Sequence, residues 1–367
     1  MVYLTYEELG WRPFVRTWLY TFFDDEILSD NLREFIYSNF DATIDIGLEK
    51  IRDTLSEPVK TVDLQQVVSI CNFLEVYLNP NMGFKGTDDE KKKLFNCCYA
   101  WSYIWGMGAS LDERSKERFD DIARELFKGA QIPQGGSAYD YFYDMKKEKA
   151  FKPWSSKVPQ FVYDREVPYF ELLVPTNDSY RHSFCLELLL SREKPSFFTG
   201  LSGVGKSVII QNSLQRFQEE KDIVPIFINF SAQTSSMRTQ QAIEGKLEKK
   251  KRTLFGAAPG KKIAIFVDDI NMPATETYGA QPPIELLRLF IDMKGLYDRD
   301  EWMWKDVEDT TLVAAAAPPG GGRSPITLRF SRHFNMFCVP NADSATLKKI
   351  FGSIVQGFLK AGFPDTV

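Results

Sequence analysis

Histidine is almost absent from this sequence of 367 residues: His182 and His333 are the only two. That scarcity excludes a histidine-rich metal centre. Cysteine is scarce as well. Cys71, Cys97, Cys98, Cys185 and Cys338 are odd in number, and their spacing suits neither a zinc site nor a disulfide framework. They read as free thiols in a reducing compartment. Positive charge is not in excess: 45 Lys and Arg stand against 50 Asp and Glu, a net charge of −5. With only modest clustering of the basic residues, no general nucleic-acid signal remains. No apolar run approaches the ~18 residues of a membrane span. The stretch from Met1 to Glu8 has neither the basic nor the apolar region of a signal peptide. What is left, 44% hydrophobic and 26% charged, is the composition of a soluble globular protein long enough for two or three domains.

The first third reads as helical. Residues 20–36, 48–55 and 64–78 place apolar side chains three and four apart, and turn residues at 79–83 follow the last of these. Residues 94–107, with Trp101 and Trp105, suit a tryptophan-rich helix core better than a cofactor box. Residues 115–127 form a charged amphipathic helix. No carboxylate pair, nucleophile or ligand cluster stands out before residue 130, which marks a packing domain. The Gly- and Pro-containing stretch 129–137 is the best boundary by composition. Beyond it, residues 158–163 and 168–173 read as short strands. Residues 176–191 read as a helix capped by Thr176 or Asp178. Further apolar strands at 223–230, 253–255, 262–267, 310–316 and 334–339 alternate with helices at 237–250 and 282–293. This alternation predicts a parallel sheet covered on both faces.

The chemistry concentrates at residues 195–214, which read as a buried strand, a glycine-rich turn and a helix. Gly200, Gly203, Gly205, Lys206 and Ser207 fill the pattern G-x-x-x-x-G-K-[ST], with Val204 inside it and Val208 just after. Glycines let backbone N–H groups converge on a phosphate, and the helix that starts near Lys206 adds its positive end. Lys206 is placed to reach the β- and γ-phosphates of ATP or ADP, and the Ser207 hydroxyl to hold Mg²⁺. The alternative, a glycine turn before an ordinary helix, is disfavoured by the strand and amphipathic helix on either side. Roughly 60 residues on, the apolar strand 263–267 ends in Asp268 and Asp269, the Walker B pattern. Asp268 is placed to bind the Mg²⁺ shell, and Asp269 to orient or deprotonate the attacking water. The second acid of such sites is usually Glu. Asp269 is one methylene shorter, and a misplacement of about 1 Å costs on the order of 10²-fold in rate.

The residues after Asp269 carry a resemblance. Asn271-Met272-Pro273, residues 278–288, Tyr297-Asp298-Arg299, residues 302–305, 316–323 and 329–334 follow in one line. Together they closely resemble the third AAA+ module of a dynein heavy chain, axonemal rather than cytoplasmic, and residues 9–13 are similar to the end of the second module. The resemblance implies an α/β, P-loop AAA+ large domain at 151–341, with a parallel sheet between helices. It also implies an all-α helical small domain of the preceding module at 1–128, a linker at 129–150 and the start of the next helical small domain at 342–367. Val174, Pro175 and Thr176 match the segment lining the adenine pocket, and residues 282–305 match an insert between Walker B and the next strand. Arg329 or Arg332 matches the arginine-finger region that serves a neighbouring module's site. One departure matters: the sensor-1 position, polar in the family, falls here in Ala314, Ala315, Ala316 and Ala317.

On this resemblance the chain is expected to be a fragment of an axonemal dynein motor ring. It would be a regulatory module that binds ATP or ADP with Mg²⁺ in the ring that powers microtubule-based ciliary movement. Hydrolysis is expected to be slow or absent, since the chain also lacks the next module's finger. The other AAA+ modules of the same heavy chain are expected partners. Dynein intermediate and light chains and microtubules would be met through parts outside this sequence, in the cytoplasm and in the axoneme and cytoskeleton of the cilium. Neither nucleic acid nor membrane is expected. The competing readings are a free-standing AAA+ remodelling ATPase and a structural module with permanently bound nucleotide.

Overall fold

The computed structural model of the chain describes residues 9–168 and 172–362. Helices α1 (Arg12–Thr21), α2 (Asp30–Asp53), α3 (Asp63–Tyr77), α4 (Asp88–Met107) and α5 (Glu113–Leu126) come first. Local chemistry starts three of them. Ser29, Thr87 and Asp112 each accept a hydrogen bond from a backbone N–H of the first turn, and the Glu90 carboxylate accepts from the Thr87 N–H in return. The single helix expected over 20–36 is two. The chain turns between α1 and α2, where the buried Arg33 donates to the Leu19 and Phe23 carbonyls and pairs with Asp25. The apolar residues at 48–55 belong to the end of α2. On α4, Trp101 and Trp105 are buried, and Trp101 meets Phe73 and Tyr77 edge-on at 5.3 Å. They are packing residues.

A short hairpin of β1 (Tyr141–Asp144) and β2 (Ala150–Pro153) follows, and buried Trp154 seals it against Phe142 and Tyr139. The remaining elements alternate. They are α6 (Asn177–Ser191), β3 (Ser196–Thr199), α7 (Lys206–Glu220), β4 (Ile223–Asn229), α8 (Ser236–Glu244), β5 (Glu248–Lys249), β6 (Leu254–Gly256), β7 (Lys262–Asp268) and α9 (Pro282–Met293). Then come β8 (Gly295–Tyr297), β9 (Trp304–Glu308), β10 (Thr310–Ala316), α10 (Leu328–Ser331), β11 (Asn335–Cys338) and α11 (Ser344–Gly362). The central sheet is parallel, in the order β11-β3-β10-β7-β4. A second sheet, β5-β6-β9-β8, takes two strands from before β7 and two from after α9.

Two further expectations fail. Residues 158–163 are irregular: Pro159 has no N–H to donate to a ladder, and the segment lines a cavity beside α11 instead. The strand expected at 168–173 falls partly on residues outside those described. The helix expected over 237–250 ends at Glu244, with Gly245 as its C-cap, and the following lysine-rich segment pairs with β6 instead.

Strand side chains alternate between two apolar cores. Phe198, Ala264, Phe266, Val313, Ala315 and Phe337 face one core, shared with α6, α7 and helices of the first third. Phe197, Ile263, Ile265, Leu312, Ala314 and Met336 face the other, under α8 and α9. Polar contacts reinforce the first junction. Gln65 donates to the Ser331 and Phe334 carbonyls at 2.8 and 2.9 Å, and Asn72 donates to Asn335 at 3.0 Å. Lys116 of α5 donates to the Cys338 carbonyl at 2.6 Å.

Burial pulls the Lys116 ammonium down from 10.5 to about 8. Below pH 8 the folded and unfolded chains both carry this proton. Between about 8 and 10.5 the unfolded chain binds more protons, so this group makes stability rise with pH in that window. Compared with Lys116→Met, the unmodified chain should therefore gain of order 2 kcal/mol between pH 7.5 and 10, read from urea unfolding curves. A pH-independent difference would contradict the burial of this lysine.

Candidate functional site

The site sits at the carboxyl ends of β3 and β7. A parallel sheet leaves its loops free there, and this is where ligands bind in open α/β sheets. The end of β3 lies tight against the chain leaving β11: Val339 N–H donates to the Thr199 carbonyl at 2.8 Å, and a Cβ on Gly200 would come within 2.6 Å of the Val339 carbonyl oxygen. Farther along the turn the constraint changes. Gly203 and Gly205 both have φ +87°, and nothing lies within 4 Å of a Cβ placed on either. Backbone conformation, not crowding, requires glycine at these two positions.

Gly205 is the N-cap of α7 and offers no side chain, so the first N–H groups of this helix of 15 residues are open to a ligand. Lys206 is buried and folds over the loop, its ammonium donating to the Gly200 and Leu201 carbonyls at 2.9 and 2.8 Å. Burial lowers its proton affinity. Asp268 and Asp269 oppose that effect, and Arg323 adds to it. Ser207 is half-buried, Val204 packs against the core, and Val208 is exposed.

Asp268 ends β7, which lies one strand from β3, across β10. Ala316 of β10 is level with Thr199, and Ala314 with Val267, so the phosphate loop and the two carboxylates flank the same strand end. The Asp268 carboxylate accepts the Asp269 N–H at 3.0 Å. Asp269 adopts φ +49°, a costly conformation for a non-glycine residue, and its carboxylate lies 3.7 Å from the Arg323 guanidinium. The strand end between them, Ala314 to Ala317, is fully apolar and buried. This donor set fits a nucleotide: backbone N–H groups and Lys206 for phosphates, and a hydroxyl with a carboxylate, Ser207 and Asp268, for Mg²⁺.

Val174 and Pro175 line a cavity of about 830 Å³, which also takes in residues 158–163 and Lys349, Ser353, Gln356 and Gly357 of α11. No residue of the phosphate loop lines it. Thr176 caps α6 by accepting the Ser179 N–H, and α6 is tied to α7 through a Ser183–Ser213 hydrogen bond. Arg329 and Arg332 do not join the loop. Arg329 pairs with Glu285 at 2.8 Å and Arg332 with Asp292 at 3.4 Å, both on α9. The five cysteines are free, and among the described residues no cluster of metal-ligating side chains occurs. Sequence reasoning missed Arg323 and Asn271 as site residues. Asn271 is buried and donates to the Ala317 carbonyl at 2.9 Å. The available signal was a lone arginine directly after three glycines, at the end of a strand next to the Walker B strand.

The comparisons with known proteins agree with this geometry. The family described as P-loop containing dynein motor region matches residues 161–342, and that described as dynein heavy chain AAA lid domain matches residues 36–156. Dynein axonemal heavy chain 6 of Homo sapiens is 41% identical over 372 residues, covering 100% of this chain and 9% of the relative. Dynein axonemal heavy chain 12 of Rattus norvegicus is 33% identical, covering 98% of this chain and 12% of that protein. Dynein axonemal heavy chain 2 of Homo sapiens is 31% identical, covering 97% and 8%. The chain thus spans about a tenth of the length of these relatives.

Gly205→Ala tests the loop conformation. The new methyl meets no atom, so the variant should fold, at a cost of about 1 kcal/mol from the left-handed backbone alone. Thermal unfolding measures it. A loss of several kcal/mol would mean that packing, not conformation, selects glycine here.

Proposed function

The chain belongs to the dynein heavy-chain family, and from that premise we propose that it is a nucleotide-binding regulatory AAA+ module of an axonemal dynein motor, working in the ring that drives microtubule-based ciliary movement. The observation that carries this reading is the convergence of residues 200–207 and Asp268 on the end of β10. ATP or ADP would be held by the loop N–H groups and Lys206, with Val174, Pro175 and Thr176 on the adenine side. Mg²⁺, held by Ser207 and Asp268, would neutralise phosphate charge. Arg329 and Arg332, paired with α9 rather than turned to this loop, would serve the site of a neighbouring module of the same heavy chain. Intermediate and light chains and microtubules would be engaged through other parts of the heavy chain, in the axoneme and its cytoskeleton.

The side chains that bind are complete, while those that would orient water are not. Asp269 is short and engaged by Arg323, and Ala314 to Ala317 offer no hydrogen bond. Electrostatic positioning of the water is therefore weak on two sides.

Two outcomes test the reading. Lys206→Ala should weaken nucleotide binding roughly tenfold or more in a titration, with an unchanged circular dichroism spectrum. Equal affinity in a folded variant would remove the site. Single-turnover ATP cleavage by the unmodified chain should stay near background, and Asp269→Glu should raise it, on the order of 10²-fold at most, only in a longer chain that restores the neighbouring module's arginine. Fast cleavage by the unmodified chain would show that its catalytic groups are assembled in another way.

A further inference from the structure

The strand end that separates the phosphate loop from Asp268 has no polar side chain, but the turn after it does. Gly320, Gly321 and Gly322 have φ +125°, +57° and +86°, and no atom lies within 4 Å of a Cβ placed on any of them. The loop is therefore unpacked along its length. At its base it is fastened. Gly320 and Arg323 exchange two backbone hydrogen bonds of 3.1 Å, and the Ser324 N–H donates to the Asn271 carbonyl at 3.1 Å. Asn271 is itself anchored to Ala317. These bonds hold Arg323 against the turn that carries Asp268 and Asp269.

The guanidinium is poorly satisfied there. Its contact with Asp269 is 3.7 Å, beyond hydrogen-bond length, and that carboxylate is 47% exposed. The Arg323 side chain is only 26% exposed, and its Nε is buried without a partner. Two nearby arginines differ: Arg329 has a 2.8 Å bond to Glu285, and Arg288 has bonds of 2.8 and 3.0 Å to Glu285 and Asp292. Arg323 also lies near enough to Lys206 for its charge to work against the lysine's. Two cations, Lys206 and Arg323, and two carboxylates, Asp268 and Asp269, thus lie close enough for their charges to interact. A planar fork of N–H donors with an unfilled capacity suits a doubly charged phosphate oxygen group better than a single exposed carboxylate.

We propose that Arg323 is the residue by which this site tells ATP from ADP, exchanging its long contact with Asp269 for the terminal phosphate and so supplying, from the glycine loop, the polar group that β10 lacks. The inference rests on the nucleotide reading of the site. In it, rotation about the Arg323 side-chain bonds carries the guanidinium across while its backbone stays fastened, and the same exchange frees the Asp269 carboxylate. A diphosphate leaves the Arg323–Asp269 pair as it is.

Equilibrium affinities of ADP and of a non-hydrolysable ATP analogue, measured with Mg²⁺ on the whole chain and on Arg323→Ala and Arg323→Gln, decide the matter. The expected result is an analogue affinity reduced about tenfold or more in both variants, with ADP affinity within about twofold of the unmodified chain. Arg323→Lys should recover part of the loss. Unchanged affinity for both nucleotides in folded variants would overturn the assignment while leaving the site intact. Equal weakening of both would overturn it too, by showing a merely structural role. If the unmodified chain binds neither nucleotide, or Lys206→Ala binds both as well as it does, the nucleotide reading itself falls and this inference with it.

Discussion

A parallel sheet must be covered on both faces, and in this chain one cover comes from helices more than a hundred residues away in sequence. Phe73 of α3 meets Phe337 of β11 edge-on, and Phe198 of β3 stacks on Phe337 at 4.9 Å. Around them, one apolar core runs from Trp11 to Val339. Polar groups at the junction are matched as well. Gln65 answers two carbonyls beside β11, and Glu75, itself buried, takes Lys194 just before β3 at 2.7 Å and Trp18 from α1 at 3.1 Å. Unpaired, each of these groups would cost about 1–3 kcal/mol. The helical part therefore acts as half of the support for the strands that carry the site, and its Pro58 and residues 112–114 line one cavity with Gly200 and Leu201 of the phosphate loop. Lys116 makes the link most directly, because its acceptor, Cys338, is the last residue of the strand beside β3.

Within that frame the site divides its tasks between backbone and side chains. The cradle is backbone: Gly203 and Gly205 take left-handed φ with no atom near a Cβ placed on either, and Gly205 opens the first turn of α7. Charge is supplied by side chains, and it is nearly balanced. Lys206 and Arg323 oppose Asp268 and Asp269, with burial discouraging the lysine's charge and the carboxylates restoring it.

The parts of the fold written in contiguous residues were legible in the sequence. The phosphate loop, the Walker B strand, the Thr176 cap and the helix 282–293 each depend on neighbours within one or two turns. What was not legible depends on partners far away. The break between α1 and α2 is set by Arg33 reaching back to Leu19 and Phe23. The lysine run after Gly245 becomes β5 only because β6 is there to pair with it. Residues 158–163 alternate like a strand but find no edge, and they face α11 across a cavity instead. Arg323 was hidden for the same reason: nothing in residues 320–323 says that Asp269 lies across from them.

The asymmetry between a complete cradle and incomplete water-handling groups has a consequence for the proposed role. On that reading, binding energy drawn from the backbone N–H groups holds nucleotide whether or not cleavage follows, and only what strengthens in the transition state lowers the barrier. Barrier lowering would have to come from Asp269 and the end of β10, and these are the short carboxylate and the four alanines. On the proposed reading, such a module would change state through occupancy more than through turnover, and the elements packed directly behind its loop are β3 and β11, which share one core with helices of the first third.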